Sequence, residues 1–158
     1  MHIQIITVGK IRERYLADGI AQYMKRFRPY VKLRILEVDD DRRPVNLSDA
    51  QLEQILAREG EKILDAIPIG AFTIALAVDG KLYSSEDLAA LMKKREISGG
   101  TVAFIIGGDL GLSRSVLERC DLRLSLSPMT FTHQMARLIL LEQVYRAFRI
   151  NRGEPYHK

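Results

Sequence analysis

Short apolar runs alternate along this chain with longer segments in which apolar residues recur every three or four positions. Five runs rich in β-branched residues read as strands: HIQIITV (2–8), LRILEV (33–38), FTIALAV (72–78), VAFII (102–106) and LRLSL (122–126). The third and fourth are apolar almost throughout, as in strands covered on both faces, whereas the second alternates and is expected nearer a sheet edge. Between the strands, Ile20, Tyr23, Met24 and Phe27 take the i, i+3, i+4, i+7 spacing of a helix stripe, and Leu52, Ile55, Leu56 and Ile63 place a second helix. Ser48 with Gln51, and Ser84 with Asp87, have the spacing of capping boxes and mark helix starts. Pro29 and DDDRRP (39–44) read as turns or linkers. The alternation predicts an α/β fold, a parallel sheet flanked by helices, with residues 1–158 as a single domain.

The last helix, HQMARLILLEQVYRAF (133–148), breaks the one-stripe rule. Met135, Ala136, Leu138, Ile139, Leu140, Leu141, Val144, Tyr145 and Phe148 cannot all face one sheet. Such a helix is either sandwiched within its own fold or shared with a second subunit, and a homodimer is the expectation for a chain of this size.

Composition changes this picture little: 47% hydrophobic and 28% charged residues suit a soluble globular domain. No apolar run approaches the roughly 18 residues of a membrane span, and MHIQIITVGK lacks the features of a secretory signal, so a cytoplasmic protein without a membrane partner is expected. A lone cysteine, Cys120, excludes an internal disulfide framework and reads as a small residue at an element boundary. Histidines and carboxylates show no metal-ligand spacing, and there is no G-x-S-x-G elbow, so no metal site is expected and hydrolase chemistry has little support. Charge is more informative, because it is segregated. Residues 10–34 carry eight Lys or Arg against two acids, residues 35–66 nine acids against four bases, and 146–158 are basic again. A basic surface of this kind suits a polyanion; solvated helix faces are the alternative.

Three segments carry candidate chemistry. In FIIGGDLGLS (104–113), Gly107, Gly108 and Gly111 give G-G-x-x-G, which is not the dinucleotide spacing, and Leu112 and Ser113 stand where a Walker loop needs Lys and Ser or Thr. What remains is close backbone approach to a ligand, or a tight turn before a helix that Ser113 starts. In LSLSPMTFTH (124–133), hydroxyls from Ser125, Ser127, Thr130 and Thr132 sit with Pro128, Met129 and Phe131. An adenine pocket and a plain corner, with Thr132 capping the last helix, are both consistent with it. In the tail RINRGEPYHK (149–158), His157 has the pKa range of a proton carrier, though tails usually fray; His133 sits at a strand-to-helix junction.

Taken in order, FIIGGDLGLS, LSLSPMTFTHQMAR and LEQVYRAFRINRGEPYHK resemble the bacterial ribosomal RNA large-subunit methyltransferase H family of the SPOUT class. The likeness extends to ITVGK, YMKRFRPY and REGEKIL, and so covers the whole chain. It implies an α/β fold with a deep C-terminal trefoil knot, a rare topology. It also implies a homodimer that binds S-adenosylmethionine in the knot and methylates N3 of a pseudouridine in 23S ribosomal RNA, within the assembled ribosome, without a metal. Carried over by motif, Leu76, Gly108, Ser127, Pro128, Met129, Thr130, Phe131 and Thr132 would hold the cofactor, and His157, Tyr156, Arg146 and His133 would surround the target base as the catalytic group, with His157 the candidate base for the N3 proton.

Overall fold

The computed structural model describes residues 1–41 and 44–158. Arg42 and Arg43 of the DDDRRP linker lie outside the described residues. Five strands form one parallel sheet: β1 (His2–Val8), β2 (Lys32–Val38), β3 (Phe72–Leu82), β4 (Thr101–Ile106) and β5 (Leu122–Ser125), in the order β2-β1-β4-β3-β5. All five stand where the apolar runs predicted them, and the alternating β2 is an edge strand. The helices are α1 (Arg14–Phe27), α2 (Asp49–Ala66), α3 (Ser85–Ser98), α4 (Arg114–Arg119) and α5 (His133–Asn151).

Burial on both faces explains the apolar strands. Along β4, Val102, Phe104 and Ile106 join the core beneath α1, α3 and α5, while Ala103 and Ile105 join a second core with Ile63 of α2 and Val116 of α4. β1 divides the same way, with Ile3 and Ile5 on one side and Ile6 and Val8 on the other. Each of the Val, Ile and Phe side chains, fully buried, contributes about 1.5–3 kcal/mol.

Local chemistry sets the element ends. Ser48 and Ser84 form complete capping boxes with Gln51 and Asp87, and Ser113 and Thr132 cap α4 and α5 by accepting from the amides of Val116 and Met135. Gly9, at φ +79°, turns the chain out of β1. β3 runs four residues beyond the predicted Val78, with a register irregularity against β5 between Leu76 and Lys81. Within it, a Cβ on Gly80 would lie 2.8 Å from the backbone of Arg123 and Leu124, so β5 passes where only glycine leaves room. The start of this pairing is pinned by a reciprocal lock. Asp121 Oδ2 accepts from the Thr73 amide (2.8 Å) and hydroxyl (2.9 Å), and the Asp121 amide donates back to the Thr73 hydroxyl and carbonyl oxygens (2.9 and 3.0 Å).

α5 lies on the sheet between α1 and α3 and buries Leu140, Leu141, Val144, Tyr145, Ala147 and Phe148 within its own chain. Of the two explanations for its apolar girth, the sandwich accounts for these residues without a second subunit. Phe27, Tyr30 and Tyr145 pack edge to face across the α1–α5 contact. The same helix buries a charge: Arg137, 2% exposed, donates to Glu37 Oε2 at 2.7 Å and to the Gly9 carbonyl at 3.2 Å. Glu37 remains 38% exposed, so the two ends of the pair differ in what they lose when separated.

That difference gives a test. Glu37→Ala strands a buried guanidinium and is expected to cost about 3 kcal/mol, whereas Arg137→Met leaves a carboxylate that water can reach and costs less. Urea unfolding midpoints check the order; a larger loss in Arg137→Met would refute it.

Candidate active site

Outside the carboxyl ends of β3, β4 and β5 lies a cavity of about 610 Å³, within the usual range for a small-molecule site. Leu76, Ile106, Leu124 and Leu126 give it apolar walls. Ser127, Met129, Thr130, Phe131 and Thr132 line it from the segment between β5 and α5, whose backbone from Leu126 to Thr132 belongs to no helix or strand and is not committed to a sheet ladder. Ser127 Oγ accepts from the Met129 amide at 2.9 Å and the Ser125 hydroxyl donates to the Ser127 carbonyl at 3.0 Å, which shapes the bend. Pro128 is absent from the lining; its part is in the bend itself.

The glycine loop forms the turn that the sequence allowed, and it stands at the cavity. It is a tight turn, closed by the Gly111 amide on the Gly108 carbonyl at 3.0 Å, with Gly111 at φ +85°. A Cβ on Gly107 would lie 2.5 Å from the Gly111 carbonyl oxygen, so the two arms of the turn meet backbone to backbone. Gly107, Gly108 and Gly111 also form part of the cavity wall. The glycines thus keep this wall thin.

Of the four residues expected around a target base, His133 lines the cavity. Arg146, Tyr156 and His157 do not; they form a second cluster, where the tail folds back on α5. Its hub is Glu142, unnoticed in the sequence. Glu142 Oε1 accepts from Arg146 Nη2 at 2.5 Å and from the Tyr156 hydroxyl at 3.1 Å. The Tyr156 hydroxyl also lies 3.2 Å from that of Tyr23, and its ring packs edge-on against Tyr145 and under the Arg146 guanidinium. His157 continues the chain, with Nδ1 at 3.1 Å from Arg146 Nη1 and Nε2 at 2.8 Å from Glu86 Oε1 at the start of α3. The only sequence signal for Glu142 was its i, i+4 spacing to Arg146; none pointed to Glu86, 71 residues from its partner.

The electrostatics follow. Burial pushes the Tyr156 phenol far above its ordinary pKa, helped by the hydrogen bond with Tyr23 and the charge of Glu142. The hydrogen bond that Arg146 donates to Glu142 holds it still more firmly in its charged form. The hydrogen bond from His157 lowers the Glu86 carboxyl. Burial raises the Cys120 thiol, which agrees with its place at the end of α4 rather than with a nucleophile. Among the described residues no group of His, Cys, Asp and Glu is arranged to hold a metal ion, and no helix is long and apolar enough to cross a membrane.

Residues 1–157 match the family described as "Predicted SPOUT methyltransferase". The chain is 55% identical to ribosomal RNA large subunit methyltransferase H of Carboxydothermus hydrogenoformans and 56% identical to the protein of that name from Clostridioides difficile, over all of each chain. Among solved structures it is similar in fold to the tRNA (m1G37) methyltransferase of Aquifex aeolicus, with a TM-score of 0.55 at 15% identity, covering all of this chain and 75% of that one.

The tail cluster can be tested by titration. Because the folded-state pKa of Tyr156 lies above its unfolded value, its contribution to stability is present below about pH 10 and is lost as pH rises through the raised value. The difference in phenolate absorbance between wild type and Tyr156→Phe is therefore expected to be absent near pH 10. A tyrosinate appearing there would show the phenol to be solvated.

Proposed function

The chain belongs to the SPOUT methyltransferase family, and from that premise we propose that it transfers a methyl group from S-adenosylmethionine to N3 of a pseudouridine in 23S ribosomal RNA. The observation that carries the cofactor reading is the cavity: seven of the eight residues expected to bind, all but Pro128, line it. Its apolar walls suit the face of an adenosine, and the irregular backbone of 126–132 suits the hydrogen-bonding edge. When bound, S-adenosylmethionine supplies a methyl group activated on a sulfonium. The chain's own task is alignment: Leu76, Met129 and Phe131 hold and shield the ligand, and the thin glycine wall lets backbone come close.

The RNA reading rests on the relatives' names and on charge. The basic stretch at 10–34 includes Arg12 ahead of α1 and Arg14 at its first position, and their neighbours Glu13 and Tyr15 line the cavity, so the cationic stretch runs past it in sequence. Arg146, Tyr156, His157 and His133 are assigned to the target base. Since only His133 lines the cavity of its own chain, the tail cluster meets the cofactor in a homodimer, one copy supplying the cavity and the other the tail. Val78, Met129 and Phe131, exposed at the cavity, are the apolar surface such a partner would cover. We take the substrate to be the assembled ribosome and the setting the cytoplasm. The trefoil knot belongs to the same reading. It is supported by the backbone crossing at Gly80 and by α5 returning from the sheet edge to lie between α1 and α3.

Calorimetry with S-adenosylmethionine and transfer of labelled methyl to bacterial ribosomes test this reading. His157→Ala is expected to bind the cofactor like wild type while losing at least about tenfold in transfer rate. No cofactor binding at millimolar concentration would overturn the enzyme reading. Label found only on small molecules would overturn the RNA one.

A further inference from the structure

His157 is held at both ring nitrogens, and the identity of the partners fixes where its proton is. Arg146 presents only N–H donors, and Glu142 holds it in the charged form. Nδ1, 3.1 Å from Arg146 Nη1, must therefore offer its lone pair. The proton then belongs on Nε2, which donates to Glu86 Oε1 at 2.8 Å, and the carboxylate form of Glu86 is the acceptor this requires. A doubly protonated ring would set an N–H against the Arg146 guanidinium. The opposite neutral tautomer would do the same and would set a bare lone pair against a carboxylate.

We infer that Glu86 is a positioning residue that fixes His157 as its neutral Nε2–H tautomer, with the remaining lone pair committed to Arg146. The inference rests on the methyltransferase reading for its link to activity. It assigns His157 a role other than general base: with no lone pair to offer, the imidazole bridges Glu86 and Arg146 and steadies the guanidinium. The bridge runs from the first turn of α3 to the middle of α5, so it joins two helices and holds the tail between them. Arg146, braced by Glu142 on one side and His157 on the other, becomes the fixed cation of the cluster.

The experiment compares full-length wild type, Glu86→Ala and Glu86→Gln. Imidazole 15N NMR reads the His157 tautomer, and methyl transfer to ribosomes at saturating cofactor reads the consequence. Wild type is expected to show one pyrrole-type Nε2 and one pyridine-type Nδ1. Glu86→Ala should average the two signals and lower kcat about tenfold, the scale of one lost charge-assisted hydrogen bond, with cofactor affinity unchanged. Glu86→Gln, whose amide oxygen still accepts from Nε2–H, should restore the tautomer and most of the rate. A protonated or Nδ1–H ring in wild type, or an unaltered tautomer or kcat in Glu86→Ala, would overturn the assignment. Failure of wild type to methylate ribosomes would overturn the functional reading instead, and the tautomer would still decide the role of Glu86.

Discussion

The buried guanidinium of Arg137 holds together the parts of this molecule that matter for its chemistry. A charge 2% exposed is tolerable only with partners, and here they are a carboxylate from β2 and the carbonyl of the glycine that ends β1. The pair therefore fixes the first turns of α5 against the carboxyl ends of two strands. Thr132 and His133 lie one helical turn before Arg137, at the cavity, so the position of the cavity's final wall depends on an ion pair outside it. Gly9 serves the same junction, since its positive φ turns the chain there and its carbonyl accepts from Arg137.

Around that anchor, the fold separates two kinds of site. The cavity is built from irregular backbone at strand ends, where apolar walls meet a segment outside any sheet ladder. The tail cluster is built from side chains on helices, Tyr23 on α1, Glu86 on α3, Glu142 and Arg146 on α5, so its geometry is set by helix packing. One region suits holding a ligand by shape, the other holding charges at fixed places. Their separation within a chain is what makes a second copy part of the proposed site.

Much of this was legible in the sequence because it is local. Strand runs, the edge position of β2, the Ser48 and Ser84 capping boxes and the Thr132 cap depend on neighbours a few residues away, and each was found. The motif between β5 and α5 marked the cavity wall almost residue by residue. What escaped notice is long-range. Arg137 sits in an apolar run where periodicity counts only its neighbours, and its meaning comes from Glu37, 100 residues away. Glu86 and Tyr23 looked like ordinary helix residues until the tail folded onto them. Gly80 carried a readable sign, a glycine inside a strand pattern, yet its reason is a backbone contact more than 40 residues on. The girth of α5 was read as a sandwich or a shared face: Leu140, Leu141, Val144, Tyr145 and Phe148 are absorbed within the chain, while Met135, Ala136, Leu138 and Ile139 are only partly buried.

The lock between Thr73 and Asp121 has a consequence for how the chain reaches this state. It joins residues 48 positions apart, and until it closes the outer edge of β3 has no partner strand. The segment FTIALAV is then a bare, uncharged β edge, the kind of template on which chains pair wrongly with one another. Closing a loop of that length is slow compared with forming the helices, so the outer edge of β3 stays open while they form. Crowding of nascent chains would act at that edge, and the four hydrogen bonds at Asp121 mark the moment at which the hazard there ends.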